Sequence, residues 1–114
     1  MPPALCAVRL SSAILFPAYA AIDLGTNTCL LLVARWDGSR LIPLAQELRV
    51  LRLGAGVGRT GRLSEEAMAR AEAVFREYKA VIESHQCRKV RCVATSAFRE
   101  AANRDQLHRH LQDA

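Results

Sequence analysis

The sequence predicts a small α/β domain with a mixed sheet and the element order β-β-β-α-β-α. Three apolar segments precede a long amphipathic helical pattern, and a fourth, shorter apolar segment follows it. Three successive strands and a helix that crosses over to a fourth strand are typical of an α/β layer with both parallel and antiparallel pairing. The length of 114 residues allows one such domain, and a composition of 51% hydrophobic and 24% charged residues indicates a soluble, globular protein.

The first three strands are predicted from apolar runs that are separated by turn residues. They cover residues 19–24, 28–35 and 40–53. Asp37-Gly38 between the second and the third is a hairpin signal. Pro43 lacks an amide hydrogen, so it predicts an edge position or an irregular start for the third strand.

Residues 65–84 are predicted to form the main helix, with Ser64 as its N-cap. Apolar residues recur at helical steps and should form one buried stripe: Met68, Ala71, Phe75, Tyr78 and Ile82. Two ordered i,i+4 charge pairs should lie on the exposed side: Glu66–Arg70 and Glu72–Arg76. The helix is therefore expected to pack one face on the sheet.

The end of the chain predicts one more strand and two helices. Residues 89–94 form the fourth strand, and Thr95 or Ser96 can cap a brief helix after it. Asn103, with Gln106 three residues later, can cap the last helix.

Residues 1–18 are predicted to be an unstructured extension. The segment ends in a small-residue pattern that resembles a signal-peptide cleavage site, but its only basic residue, Arg9, lies inside the apolar run. Cleavage after Ala20 would also remove half of the strand residues that lead to Asp23. No stretch reaches the eighteen or so apolar residues that a membrane span needs, so no membrane association is expected.

The cysteine content favours a cytoplasmic protein, and the charge bears on possible partners. The net charge is +5, and fourteen of the sixteen basic residues are arginine, which allows either an anionic partner or simply solvated helix surfaces. The cysteines contain no C-x-x-C pair and are expected to be reduced, buried small side chains: Cys6, Cys29, Cys87 and Cys92.

The glycines at 56–61 match the pattern G-x-G-x-x-G, which dinucleotide-binding domains carry. The next helix, however, is capped by Ser64 rather than containing the third glycine. Thr95 and Ser96 also stand where an acidic residue is expected. The glycines therefore predict a flexible link with positive φ angles.

The insert between the first two strands predicts a phosphate and metal site. Gly25 lets backbone amides approach an anion, and the residues after it, Thr26, Asn27 and Thr28, add side-chain donors. Asp23 at the strand end can hold a divalent cation, directly or through water.

A second anion site is predicted after the fourth strand. Thr95 and Ser96 begin a helix, and Arg99 offers a guanidinium fork for phosphate oxygens. Because both sites follow strands of one sheet, they are expected to share a crevice.

Three stretches resemble the N-terminal part of the exopolyphosphatase / guanosine pentaphosphate phosphohydrolase (Ppx/GppA) family: AAIDLGTNTCLLLVA, RLGAGVGRTGRLSEEAM and VRCVATSAFREAANRDQL. The resemblance runs from Tyr19 to about Leu111. It implies a partial ribonuclease H-like, actin-like ATPase domain in which 23–28 is the first phosphate loop. It further implies that Arg99 holds the phosphate chain, that Mg²⁺ is the cofactor, and that full-length relatives are homodimers.

The resemblance also implies that important parts lie outside this sequence. The family's catalytic glutamate stretch, Ser-Gly-x-Glu-Glu-Ala, and its second phosphate loop, Asp-x-Gly-Gly-Gly-Ser, do not occur here. Residues 19–114 are accordingly predicted to be the first half of the N-terminal lobe, truncated before its remaining strands. No residue of this chain is assigned a catalytic role.

Three functions stay open on the sequence alone. The first is a fragment of a phosphoanhydride hydrolase acting on polyphosphate or guanosine pentaphosphate. The second is a non-catalytic remnant that binds polyphosphate or guanosine tetraphosphate, and the third is another actin-like phosphotransferase such as a sugar kinase. Specific nucleic-acid binding is not expected, because the arginines are not interleaved with exposed aromatic residues.

Overall fold

The computed structural model describes residues 16–94 and 101–113, and these form a four-stranded sheet with helices packed on one face. The strands are β1 (Ala18–Leu24), β2 (Thr28–Trp36), β3 (Leu41–Val50) and β4 (Lys89–Ala94). Their spatial order is β3-β2-β1-β4, with β1 antiparallel to β2 and parallel to β4. The predicted mixed sheet is confirmed.

Strand β1 begins slightly earlier than predicted. Ala18, which the sequence placed in the extension, is its first residue and is buried. The carbonyl of Pro17 accepts a hydrogen bond from the Trp36 amide at 3.2 Å. The sheet therefore engages the chain from Pro17 onward. The predicted extension over residues 1–15 lies outside the described residues.

Strand β3 lies at the edge of the sheet, as Pro43 predicts. Its register against β2 shifts between Val33, which is opposite Ala45, and Ala34, which is opposite Pro43. This β-bulge leaves one extra residue on β3 and accommodates a proline that has no amide hydrogen to donate.

The helices are α1 (Val57–Thr60), α2 (Glu65–Ser84) and α3 (Arg104–Asp113). Helix α2 has the predicted bounds, and the Ser64 hydroxyl accepts the Ala67 amide at 3.0 Å as its cap. Helix α1 was not predicted: the glycine link contains a single helical turn. Gly56 and Gly61 flank that turn at φ angles of 79° and 70°, so the expectation of positive φ is confirmed there.

The core lies between α2 and one face of the sheet. The predicted stripe is confirmed, with Met68, Ala71 and Tyr78 buried and its other two members partly buried. The Tyr78 hydroxyl donates to the Cys29 carbonyl at 2.6 Å, which ties the helix to β2 across the core. On the opposite face of the sheet, apolar side chains are exposed: Leu30, Leu48, Val50 and Val93.

Two predicted roles are corrected by contacts that are distant in sequence. Arg70 does not form the predicted surface pair with Glu66; its Nε donates to the Leu51 carbonyl at 2.7 Å. The side chain of Asn103 does not cap α3, because its Oδ1 accepts the Leu63 amide and its Nδ2 donates to the Leu63 carbonyl. The pair Glu72–Arg76 forms as predicted.

The cysteine prediction holds only in part. Cys29 is fully buried and Cys87 is partly buried, but Cys92 is exposed. The physical reason is the position of β4, which is outermost in the described sheet.

Candidate phosphate-binding site

The first predicted site is the turn at residues 25–27, which joins antiparallel β1 and β2. The last residue of β1, Leu24, is opposite Cys29 of β2 and also opposite Ala94, the last residue of β4. Strands β1 and β4 therefore end side by side at one end of the sheet. This is the arrangement that a shared anion crevice requires.

Gly25 is required by the tightness of this turn. Its amide donates to the Thr28 carbonyl at 2.8 Å. A Cβ added at Gly25 would lie only 2.8 Å from that same oxygen, which is closer than real Cβ contacts. No larger residue fits without moving the backbone, so the turn depends on glycine.

The carbonyls of the loop are held by the segment that follows β3. The Asn27 carbonyl accepts from the amides of Leu51 and Arg52, at 2.7 and 3.0 Å, and the Thr26 carbonyl accepts from Gly54 at 2.9 Å. Carbonyl oxygens repel anions, and here they are occupied by internal donors. The loop can therefore present donors to an anion without exposing these two acceptors beside them.

Asn27 supplies the clearest donors of the loop. Its side chain is exposed, and in the described part of the chain neither its backbone amide nor its side-chain amide has a hydrogen-bond partner. Thr28 is half-buried at the start of β2. Gly25 and Asn27 thus lie in the turn and Thr28 directly after it, and their role in binding phosphate stays a prediction.

Asp23 lies two residues before the turn with its carboxylate exposed. Burial alternates along β1, so Asp23 faces away from the core side that Ile22 and Leu24 occupy. Among the described residues, no three His, Cys, Asp or Glu side chains cluster closely enough to hold a metal by themselves. One carboxylate fits Mg²⁺ nonetheless, because that ion is commonly bound by one or two carboxylates, waters and substrate phosphates.

The thiol of Cys29, which follows the loop in sequence, stays protonated at neutral pH. Burial raises the pKa of Cys29 to about 12, with smaller contributions from the Cys92 thiol and the Asp23 carboxylate. A thiol that stays protonated is neither a nucleophile nor a metal ligand. Cys29 is therefore part of the core and not of the site.

The second predicted site, Thr95, Ser96 and Arg99, lies outside the described residues. Its two flanks are described: Ala94 ends β4 beside the loop, and the Ala102 amide donates to the Gly61 carbonyl at 2.8 Å. Joint action of this segment with the first loop stays a prediction.

A cleft of about 860 Å³ next to the loop was not predicted from the sequence. We call it the arginine cleft, because four of its lining residues are arginines: Arg52, Arg59, Arg62 and Arg70. The sequence signal for this cleft is the recurrence of arginine across the glycine link.

The described residues thus form a mixed α/β sheet with a polar turn between β1 and β2. Comparison with known proteins identifies the family. Residues 32–114 match the model of the Ppx/GppA phosphatase family. The chain belongs to that family.

Two characterised relatives illustrate the similarity. The chain is 42% identical over 90 residues to exopolyphosphatase 2 of Mycobacterium tuberculosis, covering 75% of this chain and 28% of the relative. It is 36% identical over 89 residues to the guanosine-5'-triphosphate,3'-diphosphate pyrophosphatase of Photobacterium profundum, covering 78% of this chain and 18% of the relative.

Solved structures share the fold. The Ppx/GppA family member of Aquifex aeolicus superposes with a TM-score of 0.83 at 30% identity, covering 86% of this chain and 32% of that one. An exopolyphosphatase from Cytophaga hutchinsonii gives a TM-score of 0.81 at 30% identity, covering 84% and 31%. The chain thus spans less than a third of the length of these relatives. Within the described residues, no helix is long and apolar enough to cross a membrane.

Proposed function

We propose that this chain supplies the first phosphate loop of a phosphoanhydride hydrolase whose substrate is inorganic polyphosphate or guanosine pentaphosphate. The relatives named above act, by their names, on these two kinds of phosphoanhydride. The observation that carries the proposal is the loop itself: two of its carbonyls are bonded internally, while the donors of Asn27 stay exposed.

The loop and Asp23 would hold a terminal phosphate through different contacts. The backbone and side-chain amides of Asn27 bind phosphoryl oxygens, and Gly25 keeps the turn tight enough to present them. Asp23 would hold Mg²⁺ together with the substrate phosphates. When bound, that ion would neutralise charge on the phosphoryl oxygens. Arg99, by family resemblance, is proposed to clamp the same phosphates from the chain that leaves β4.

Hydrolysis also needs a water in line with the scissile bond and a carboxylate to orient or deprotonate that water. We assign this role to no residue of the chain. Asp23 has the proposed role of holding the metal ion and the substrate phosphates. Glu100 belongs to the Arg-Glu-Ala stretch rather than to the family's glutamate motif. The proposed activity of the chain on its own is therefore binding of phosphoanhydrides without turnover.

The test is calorimetric titration of the chain with pyrophosphate, with and without Mg²⁺. We expect Mg²⁺ to tighten binding, and Asp23→Asn to remove most of this gain while leaving the metal-free affinity similar. Asp105→Asn is the matched control, since Asp105 is an exposed carboxylate on α3, away from the loop. Equal enhancement by Mg²⁺ in Asp23→Asn and in Asp105→Asn would contradict the role of Asp23.

A further inference from the structure

We propose that the outer edge of β3 pairs with the same edge of a second copy of this chain, antiparallel and with the two-fold axis at Leu48. Strand β3 is outermost in the described sheet, so one row of its backbone amides and carbonyls has no neighbouring strand there. The pairing would join two four-stranded sheets into one. This inference is independent of the phosphate binding proposed above.

Two hydrogen bonds establish which residues of β3 direct their backbone groups outward. The Gly25 amide donates to the Thr28 carbonyl, so Thr28 faces β1 and the next residue, Cys29, faces β3. The Leu51 amide donates to the Asn27 carbonyl, which gives the same alternation at the end of β3. The outward backbone groups in this half of β3 therefore belong to the even-numbered residues: Gln46, Leu48 and Val50.

The first half of β3 is unsuited to such pairing. Pro43 has no amide hydrogen to donate, and the β-bulge beside it bends the strand. Residues 45–50 instead run in regular register with β2. They include neither proline nor lysine, the residues that commonly protect an edge strand from pairing. The second half is therefore the part of this edge that another strand can use.

The charges on β3 select the register of the pairing. Glu47 and Arg49 form an ion pair at 3.1 Å on the helix side of the sheet, where Arg49 also contacts Glu77 of α2. With the axis at Leu48, Glu47 of each copy lies opposite Arg49 of the other, in a pair without backbone hydrogen bonds whose side chains approach closely. An axis at Glu47 or Arg49 would place like charges opposite each other, and an axis at Gln46 would bring the bulge into the contact.

Leu48 has backbone and side-chain groups that this pairing would satisfy. Within one chain, its carbonyl accepts a hydrogen bond at 3.0 Å from the Arg49 guanidinium, so a side chain occupies the place of a strand partner. In the pair, the two Leu48 residues would exchange both backbone hydrogen bonds. Leu48 also lies opposite Leu30 of β2, and both side chains are exposed on the open face of the sheet. The axis would extend these leucines into one continuous apolar row, which removes part of each from water.

The contact is small and closed. Residues 46–50 of the two copies overlap, which allows roughly six backbone hydrogen bonds. Such an area lies below the roughly 1,200 Å² that stable interfaces bury, so the association should be weak and should depend on concentration. Because both copies use the same edge, the contact ends at a dimer and does not propagate.

Sedimentation equilibrium of the full 114-residue chain tests the pairing. The mass of the wild type should rise from monomer towards dimer between about 10 µM and about 1 mM, as expected for a weak interface. Glu47→Arg and Arg49→Glu should each associate about tenfold more weakly, because each variant paired with itself opposes like charges. Both side chains are partly exposed, so the variants should fold like the wild type, and thermal melts verify this.

A mixture of the two variants tests the register. In a mixed pair, the two arginines of one copy lie opposite the two glutamates of the other, so association should return to within about twofold of the wild type. The controls are Glu83→Arg and Arg88→Glu, which reverse exposed charges outside β3 and should associate like the wild type. A wild type that stays monomeric up to about 1 mM would overturn the inference. So would a mixture that associates no better than the separate variants, or a dimer that neither β3 substitution weakens.

Discussion

The side chain of Asn103 satisfies both backbone groups of Leu63. Its Oδ1 accepts the Leu63 amide at 2.8 Å, and its Nδ2 donates to the Leu63 carbonyl at 2.9 Å. Asn103 is only 8% exposed, so these bonds are sheltered from water. This contact fastens the start of α3 to the residue that precedes the N-cap of α2.

Replacement of Asn103 by Ala should destabilise the lobe by about 2–4 kcal/mol, because two buried backbone groups lose their partner. Urea unfolding measures this difference. His108→Ala, at an exposed position of α3, should change stability by less than about 0.5 kcal/mol. Similar stabilities for the two variants would show that water replaces the amide at little cost.

Replacement of Gly25 by Ala should weaken both stability and anion binding. The new Cβ would meet the Thr28 carbonyl at 2.8 Å, so the turn must open, at a cost of about 1–3 kcal/mol. Pyrophosphate affinity should fall with it, because the loop amides move. Calorimetric titration and urea unfolding measure the two effects.

Gly58→Ala is the matched control for this substitution. Gly58 lies within α1, and a Cβ there would meet nothing within 4 Å. Alanine should be neutral or stabilising by about 0.5 kcal/mol, since it restricts the unfolded chain. Unchanged pyrophosphate binding in Gly25→Ala would remove that turn from the site.

The lobe should lose stability as the pH rises from about 9 towards 12. Burial raises the pKa of Cys29 to about 12, from an ordinary value of 9.0. In this window the unfolded thiol releases its proton while the folded one keeps it, so the free energy of unfolding falls with pH. Tyr78 acts in the same direction, because burial raises its pKa to about 12.

Urea unfolding at several alkaline pH values tests this. In Cys29→Ala the free energy of unfolding should fall less steeply with pH than in the wild type. The difference in slope is at most about 1.4 kcal/mol per pH unit, because the variant lacks one titrating proton. Below pH 9 its stability should run parallel to that of the wild type. An identical alkaline slope in both proteins would show that the Cys29 thiol titrates normally in the fold.

The purified 114-residue chain should release no phosphate from polyphosphate or guanosine pentaphosphate in the presence of Mg²⁺. A missing general base alone lowers rates by roughly 10²–10⁴. Phosphate release above background that Asp23→Asn abolishes, and Asp105→Asn does not, would show that a carboxylate of this chain performs catalysis.

Local signals in the sequence determined much of this lobe. Helix α2 was predictable because its Ser64 cap and its apolar stripe lie within the helix itself and need no distant partner. The turn at residues 25–27 was predictable for a similar reason, since glycine and small polar residues between two apolar runs are a local pattern. The family followed from short motifs that are contiguous in the chain.

The tertiary structure decided what depends on residues far apart in sequence. The sequence predicts a surface ion pair for Arg70, but the fold places the Leu51 carbonyl within reach of its guanidinium. The sequence predicts a helix cap for Asn103, but the fold places Leu63, forty residues earlier, beside its side chain. The arginine cleft arises in the same way, from a link, a one-turn helix and α2 folded together. Periodicity and capping patterns describe neighbours along the chain, whereas hydrogen bonds and charge clusters of this kind depend on which segments the packing of the core brings into contact.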